Sequence, residues 1–251
     1  MAKASVPGTV KTRLVPPLTY EEAAELNTCC LTDVAANVMA AATQVRIQGF
    51  AAYDPLGCER FFHDLLPDGF KLLPPKEPTI GRSLFHAAQD LLAAGYRSVC
   101  LINADSPTLP TAILVEAVRR LQEPGDRVVL GPSADGGYYL IGLKQFHRRL
   151  FEEIDWSTEQ VYRQTLVRAG EIGLATAALP EWYDIDDGET LALLASEVCM
   201  SWDAAIPYRD GYRAPTTAAF LNRLAVKNGG IARLFDRTSA LRHAAPLAGP
   251  S

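Results

Sequence analysis

The chain has 251 residues, 48% of them hydrophobic and 21% charged, with 24 Lys and Arg against 29 Asp and Glu and a formal net charge of −5. That length and apolar content suit a large α/β domain with a substantial core and exclude an intrinsically disordered chain. The acidic balance gives no overall drive toward nucleic acid or anionic lipid, so neither is expected as a partner.

In chain order, Thr19-Tyr20-Glu21-Glu22 predicts a capping box. Leu26, Cys30, Val34 and Val38 then fall at four-residue spacing, one face of a helix to about Ala42. Val45 to Tyr53 predicts a strand, Phe70 to Leu73 a weaker one, and Leu84 to Ala94 a helix closed by Gly95. Ser98 to Asn103 is nearly all apolar, as expected of a central parallel strand covered on both faces. A helix is expected from near Pro110 to about Gln122, then strands at Arg127 to Leu130 and Tyr138 to Leu143. Ser157-Thr158-Glu159-Gln160 predicts a second capping box and a helix closed by Gly170 or Gly173. Leu174 to Leu179 reads as a strand, and Asp187 as the cap of a helix to about Val198.

Strands alternating with helices argue for an open, mostly parallel sheet with helices on both faces. Residues 1–200 read as one domain. Residues 201–251 read as a peripheral C-terminal extension, with a helix from about Thr217 to Val226 and then an Ala/Pro/Gly/Ser end.

Five cysteines (Cys29, Cys30, Cys58, Cys100, Cys199) without a C-x-x-C spacing and four scattered histidines speak against a disulfide framework or a structural zinc site. No run of 18 apolar residues predicts a membrane span, and Met1-Ala2-Lys3-Ala4 lacks the apolar core of a signal peptide. A cytoplasmic protein is expected.

Four polar clusters fall at predicted strand ends or near the N-terminus, where open α/β sheets bind ligands. The first holds Lys3, Gly8, Lys11 and Arg13 around a Pro-Gly turn. If extended, Lys11 and Arg13 share a face and could neutralise a phosphate; a solvated basic segment is the alternative. In the second, Asp105 directly follows the buried strand. It either meets a hard cation such as Mg²⁺ or Mn²⁺ or caps a turn. The third is Asp135-Gly136-Gly137-Tyr138, a ligand loop or a hairpin turn. The fourth is Asp184-Ile185-Asp186-Asp187. There Asp184 and Asp186 share a face if extended, and gathered carboxylates favour a cation.

The ordered motifs Ala2 to Leu14, Asp105 to Pro110, Gly131 to Leu143, Trp156 to Thr158 and Trp182 to Asp186 resemble one bacterial GT-A-fold family. These are the radical-SAM/selenodomain-associated transferases, also called arsenosugar-biosynthesis-type glycosyltransferases. The resemblance spans about residues 2 to 195 and implies a Rossmann-like nucleotide-diphospho-sugar transferase fold. It implies nucleotide phosphates on Lys11 and Arg13, with Asp105 and Asp186 as ligands to Mg²⁺ or Mn²⁺. It also implies an acceptor or sugar pocket at Asp135, Gly136, Gly137 and Tyr138. Two departures stand out. The apolar strand that opens this fold has no residues ahead of Ala2, so Met1 is expected to be an internal methionine of a longer protein. Glu77 to Arg82 keeps only Gly81 and Arg82 of a glycine-rich nucleotide-contact pattern.

The leading expectation is a metal-dependent glycosyltransferase that takes a nucleotide-diphospho-sugar. In it Lys11 stabilises the departing diphosphate and Asp135 serves as base if the reaction inverts. Nucleotidyl transfer from an NTP to a small phosphorylated or acidic acceptor is the alternative, and a catalytically silent nucleotide-binding protein a third.

Overall fold

The computed structural model describes residues 1–76, 79–199 and 211–227. Its strands are β1 (Ala2–Lys3), β2 (Phe50–Asp54), β3 (Lys71–Leu73), β4 (Val99–Ile102), β5 (Arg127–Pro132), β6 (Tyr138–Leu143) and β7 (Ala175–Ala178). Its helices are α1 (Tyr20–Ala42), α2 (Glu59–Leu65), α3 (Ile80–Ala93), α4 (Thr111–Gln122), α5 (Val161–Glu171), α6 (Gly188–Cys199) and α7 (Pro215–Lys227).

One sheet has the order β1-β2-β3, all parallel; the other has the order β4-β6-β5-β7. They meet where the Met1 ammonium donates to the Ile102 carbonyl at 2.9 Å, which sets β1 between β2 and β4. A two-residue first strand is thus present where none was expected. β4 pairs antiparallel with β6, not parallel as expected of it. The cause is local: β5 and β6 are joined by a tight turn, so β6 reverses direction and runs against both neighbours. β7 rejoins β5 in parallel.

Helices cover both faces. Leu26, Leu114, Leu140, Ile185 and Leu194 belong to one apolar cluster, built largely with α1, α4, α6 and α7. Leu84, Val128, Ile141, Leu150 and Ala169 belong to another, with α3 and α5. The predicted stripe of α1 is present: Leu26 and Cys30 are fully buried, and Val34 and Val38 half-buried. The Thr19 capping box forms in both directions, Glu22 N–H to Thr19 Oγ1 at 3.2 Å and Thr19 N–H to Glu22 Oε2 at 2.8 Å.

Several local expectations are corrected by tertiary contacts. The strand predicted from Val45 begins only at Phe50; Val45 and Ile47 pack against the core instead, and Gly49 lies against the Phe70 ring. The second capping box does not form. Ser157 takes a left-handed φ of 64°, Thr158 Oγ1 donates to the Asp155 carbonyl at 2.7 Å, and α5 starts at Val161. The segment predicted as peripheral contains α7, which packs on α1 and α6 and buries Phe220 and Leu221. Its first amides, Thr216 N–H at 3.1 Å and Thr217 N–H at 2.7 Å, are capped by the buried Asp33 carboxylate. Residues 228–251 lie outside the described residues. Cys29, Cys30, Cys58 and Cys100 are free thiols; the Cys199 side chain lies outside the described set. No described helix is long and apolar enough to cross a membrane.

Candidate active site

The four predicted clusters converge where β1, β4, β5 and β7 end. Lys11 is not extended; its φ of 47° and ψ of 38° are left-handed, and it heads a 3-10 turn, Thr12–Leu14, anchored by the fully buried Leu14. The expected shared face of Lys11 and Arg13 is therefore corrected. This turn sends the Lys11 side chain inward, 5% exposed, and leaves that of Arg13 74% exposed. Lys11 Nζ donates to Asp105 Oδ1 at 2.5 Å and to the Ile185 carbonyl at 3.0 Å. Burial, the largest influence, disfavours its charge, but Asp105, Cys30 and Asp186 together outweigh it and the ammonium is held above its ordinary pKa. Arg13 Nη1 lies 3.5 Å from Asp186 Oδ2.

Backbone hydrogen bonds join the acidic loops. Ile185 N–H donates to the Asp105 carbonyl at 3.0 Å, and Ala134 N–H to the Trp182 carbonyl at 2.9 Å. Ser133 Oγ donates to Asp184 Oδ1 at 2.8 Å. Asp135 turns back to accept from Gly137 N–H at 2.8 Å. Between them Gly136 has a φ of 88°, and a Cβ there would come within 2.2 Å of the Glu159 carbonyl oxygen. Only glycine suits that position, so the motif's first glycine is a packing requirement of the hairpin.

Carboxylate oxygens of Asp135, Asp184 and Asp186 lie within 4.8 Å of one another. Asp105 is not in that group, because its Oδ1 is engaged by Lys11. The expected ligand pair of Asp105 and Asp186 is thus only half present in the tight cluster, and Asp184 is the member the sequence reading left out of its ligand set. The signal was there in the alternation of Asp184 and Asp186. Burial and the charge of Asp135 push the Asp184 carboxyl up to about 6. Burial and Asp105 also displace Asp186 upward, against Lys11 and Arg13. All donors in this group are hard oxygens, and the carboxylates destabilise one another, so the set fits Mg²⁺ or Mn²⁺. Asp187 serves the helix, accepting from Thr190 N–H at 2.9 Å.

The remaining predicted residues are placed less centrally. Lys3 and Gly8 are exposed on the segment leading to Lys11, and Gly8 has a φ of 80° in a turn. Gly81 and Arg82 open α3. A Cβ on Gly81 would come within 2.2 Å of Trp156 Nε1, so the indole lies directly on the helix start. The Arg82 guanidinium sits 5.8 Å from the Phe85 ring centroid. Tyr138 makes an edge-to-face contact with Trp156, centroids 6.5 Å apart, and its hydroxyl is buried without a hydrogen-bond partner. Its ring packs against the core beside α3 and α5.

Residues 37–158 match DUF2064, a family described as an uncharacterized protein conserved in bacteria. No curated protein matches the sequence. Among solved structures, one from Desulfovibrio desulfuricans G20, provisionally described as a nucleotide-diphospho-sugar transferase, is similar. Its TM-score is 0.70 at 25% identity, over 88% of this chain and 94% of that one. CMP:2-keto-3-deoxy-manno-octonic acid synthetase complexed with CTP aligns at TM-score 0.47 and 12% identity, over 67% of this chain and 88% of its own. Rv0371c from Mycobacterium tuberculosis H37Rv aligns at 0.41 and 19%, over 75% and 91%. The fold is that of the nucleotide-diphospho-sugar transferases, a Rossmann-like α/β sheet.

Proposed function

We propose that the protein is a metal-dependent glycosyltransferase that uses a nucleotide-diphospho-sugar. One observation carries the reading. At the carboxyl ends of the strands, four carboxylates (Asp105, Asp135, Asp184, Asp186) meet two side-chain cations, Lys11 and Arg13, among the described residues. The excess negative charge calls for a divalent cation, and the two basic residues lie beside it, as a diphosphate requires. The similarity to the Desulfovibrio structure supports the same class.

Asp184 and Asp186, the half-buried pair, would hold Mg²⁺ or Mn²⁺, with Asp105 adding its field. The bound cation supplies Lewis-acid stabilisation of phosphate charge. Lys11 is fixed by Asp105 and the Ile185 carbonyl, so its ammonium is oriented before substrate arrives. The exposed Arg13 is free to swing from Asp186 onto a phosphate. Asp135 is the exposed member of the carboxylate group and faces the acceptor side in this reading. In an inverting reaction the acceptor oxygen bonds to the anomeric carbon, the bond to the diphosphate oxygen breaks, and Asp135 takes the hydroxyl proton.

The test is a thermal-shift screen against nucleotide-diphospho-sugars and the matching NTPs, with and without Mn²⁺. A Mn²⁺-dependent shift, larger for one nucleotide sugar than for its NTP, is expected. A shift led by an NTP would instead mean nucleotidyl transfer. Binding without turnover of any donor would mean a catalytically silent protein.

A further inference from the structure

Behind the carboxylates runs a chain of hydrogen bonds that the proposed chemistry does not use. The segment from Tyr183 to Asp186 alternates: Tyr183 and Ile185 are buried, while Asp184 and Asp186 are half-exposed. Whatever fixes Tyr183 and Ile185 therefore fixes the two carboxylates next to them. Ile185 is tied directly to the Asp105 loop, its N–H donating to the Asp105 carbonyl at 3.0 Å. Tyr183 is tied by its hydroxyl. Thr108 Oγ1 donates to the Tyr183 hydroxyl oxygen at 3.2 Å, and that hydroxyl donates to Glu197 Oε2. Thr108 belongs to the Asp105 loop and Glu197 to α6, so three segments meet at one phenol. The chain also returns across them. Tyr212 N–H donates to the Thr108 carbonyl at 2.8 Å, and a Cβ on Gly211 would come within 2.3 Å of Glu197 Oε1.

Two features set this relay apart from ordinary hydrogen bonding in a core. The first is its acceptor. A buried phenol O–H needs one, but a neutral group would serve. Burial instead holds the Glu197 carboxyl at about 7, so at neutral pH and above this residue lowers stability where a Gln would not. Stability is therefore not what Glu197 adds. The second is the relay's position. It ends one residue from carboxylates that repel one another, since oxygens of Asp135, Asp184 and Asp186 gather within 4.8 Å. A loop that carries two of the three would relax outward unless it were held. Glu197 is not a member of that group, so its effect there runs through Tyr183.

We propose that Tyr183 and Glu197 are positioning residues of the carboxylate site. The relay from Thr108 through Tyr183 to Glu197 holds the Asp184 loop on the Asp105 loop, and so keeps Asp184 and Asp186 gathered for a cation. The proposal rests on the metal-dependent reading of those carboxylates, and neither positioning residue touches the cation or a substrate.

The experiment is calorimetric titration of Mn²⁺ into the 251-residue protein and its variants at pH 7, with hydrogen exchange of the Ile185 amide read on each. Tyr183→Phe keeps the ring and removes the hydroxyl, Glu197→Ala removes the end of the relay, and Glu197→Gln keeps an acceptor oxygen. Tyr183→Phe and Glu197→Ala should each weaken Mn²⁺ binding by about 10-fold, and the double variant no more than either, because both break one relay. Glu197→Gln should stay within about 2-fold of the parent. Exchange at Ile185 should quicken by about 10-fold in Tyr183→Phe, relative to the Ile141 amide inside the sheet. A Tyr183→Phe protein with a lower melting midpoint but unchanged Mn²⁺ affinity and unchanged relative exchange at Ile185 overturns the proposal, because the relay is then structural only. A parent that takes up no Mn²⁺ removes the metal reading instead, and the hold of the relay on the loop then stands or falls with the Ile185 amide.

Discussion

Two charge clusters of this molecule contrast sharply. Around Arg149 and Arg168, the carboxylates of Glu153 and Glu171 are each shared between the two guanidiniums. Charge is balanced there, the carboxylates are well exposed, and salt and water screen what is left. At the Lys11 site, among the described residues, four carboxylates meet two side-chain cations, and the lysine is almost wholly buried. A cluster that neutralises itself is finished. One that does not has capacity left for a ligand, and that difference separates a candidate site from a surface network.

The largest effect should come from Asp105→Ala. It strands the buried Lys11 ammonium, and a loss of about 2–4 kcal/mol is expected by urea denaturation, together with loss of turnover. A loss no greater than that of a surface pair would break the contrast. Asp184→Asn should come next, weakening Mn²⁺ binding by at least about 10-fold in calorimetry. Asp135→Asn should lower turnover while leaving Mn²⁺ affinity within about 3-fold, if the exposed carboxylate works on the acceptor. Equal losses of affinity from both variants would make Asp135 a ligand instead.

A smaller effect is expected at Glu197. Its carboxyl is raised to about 7 by burial, which outweighs the hydrogen bond from the Tyr183 hydroxyl. The folded state therefore keeps this proton where the unfolded chain, near 4.5, has lost it, and stability falls as pH rises from about 4.5 through about 7. Glu197→Gln removes that penalty and should gain about 2 kcal/mol at pH 8 relative to pH 4, read from paired melting curves. The smallest effect belongs to the balanced cluster: Glu153→Ala should move the melting midpoint by less than about 2 °C and leave Mn²⁺ affinity unchanged.

Much of the fold was legible because local signals agree with it. The Thr19 and Asp187 caps, the α1 stripe, and the bounds of α4 and β6 all follow from periodicity and side-chain hydrogen bonding to the next backbone amides. Local rules failed where distant residues decide. Ser157 leads to no capping box because the segment that follows docks on the hairpin, with Tyr162 N–H bonded to the Gly136 carbonyl at 3.0 Å. α7 was read as peripheral because nothing nearby in sequence shows that Asp33 caps it or that α1 buries it.

The sequence by itself determined which residue types gather at the strand ends, since motif order and strand termini are properties of the chain. It also set the helical faces and the caps, whose partners lie within four residues. Only the tertiary structure decided that Lys11 turns inward on Asp105 and that Asp184 joins Asp135 and Asp186. Each of these depends on residues from about 50 to 95 positions apart meeting in space. No local propensity encodes such a meeting, because packing and backbone hydrogen bonding choose among the conformations that the local signals leave open.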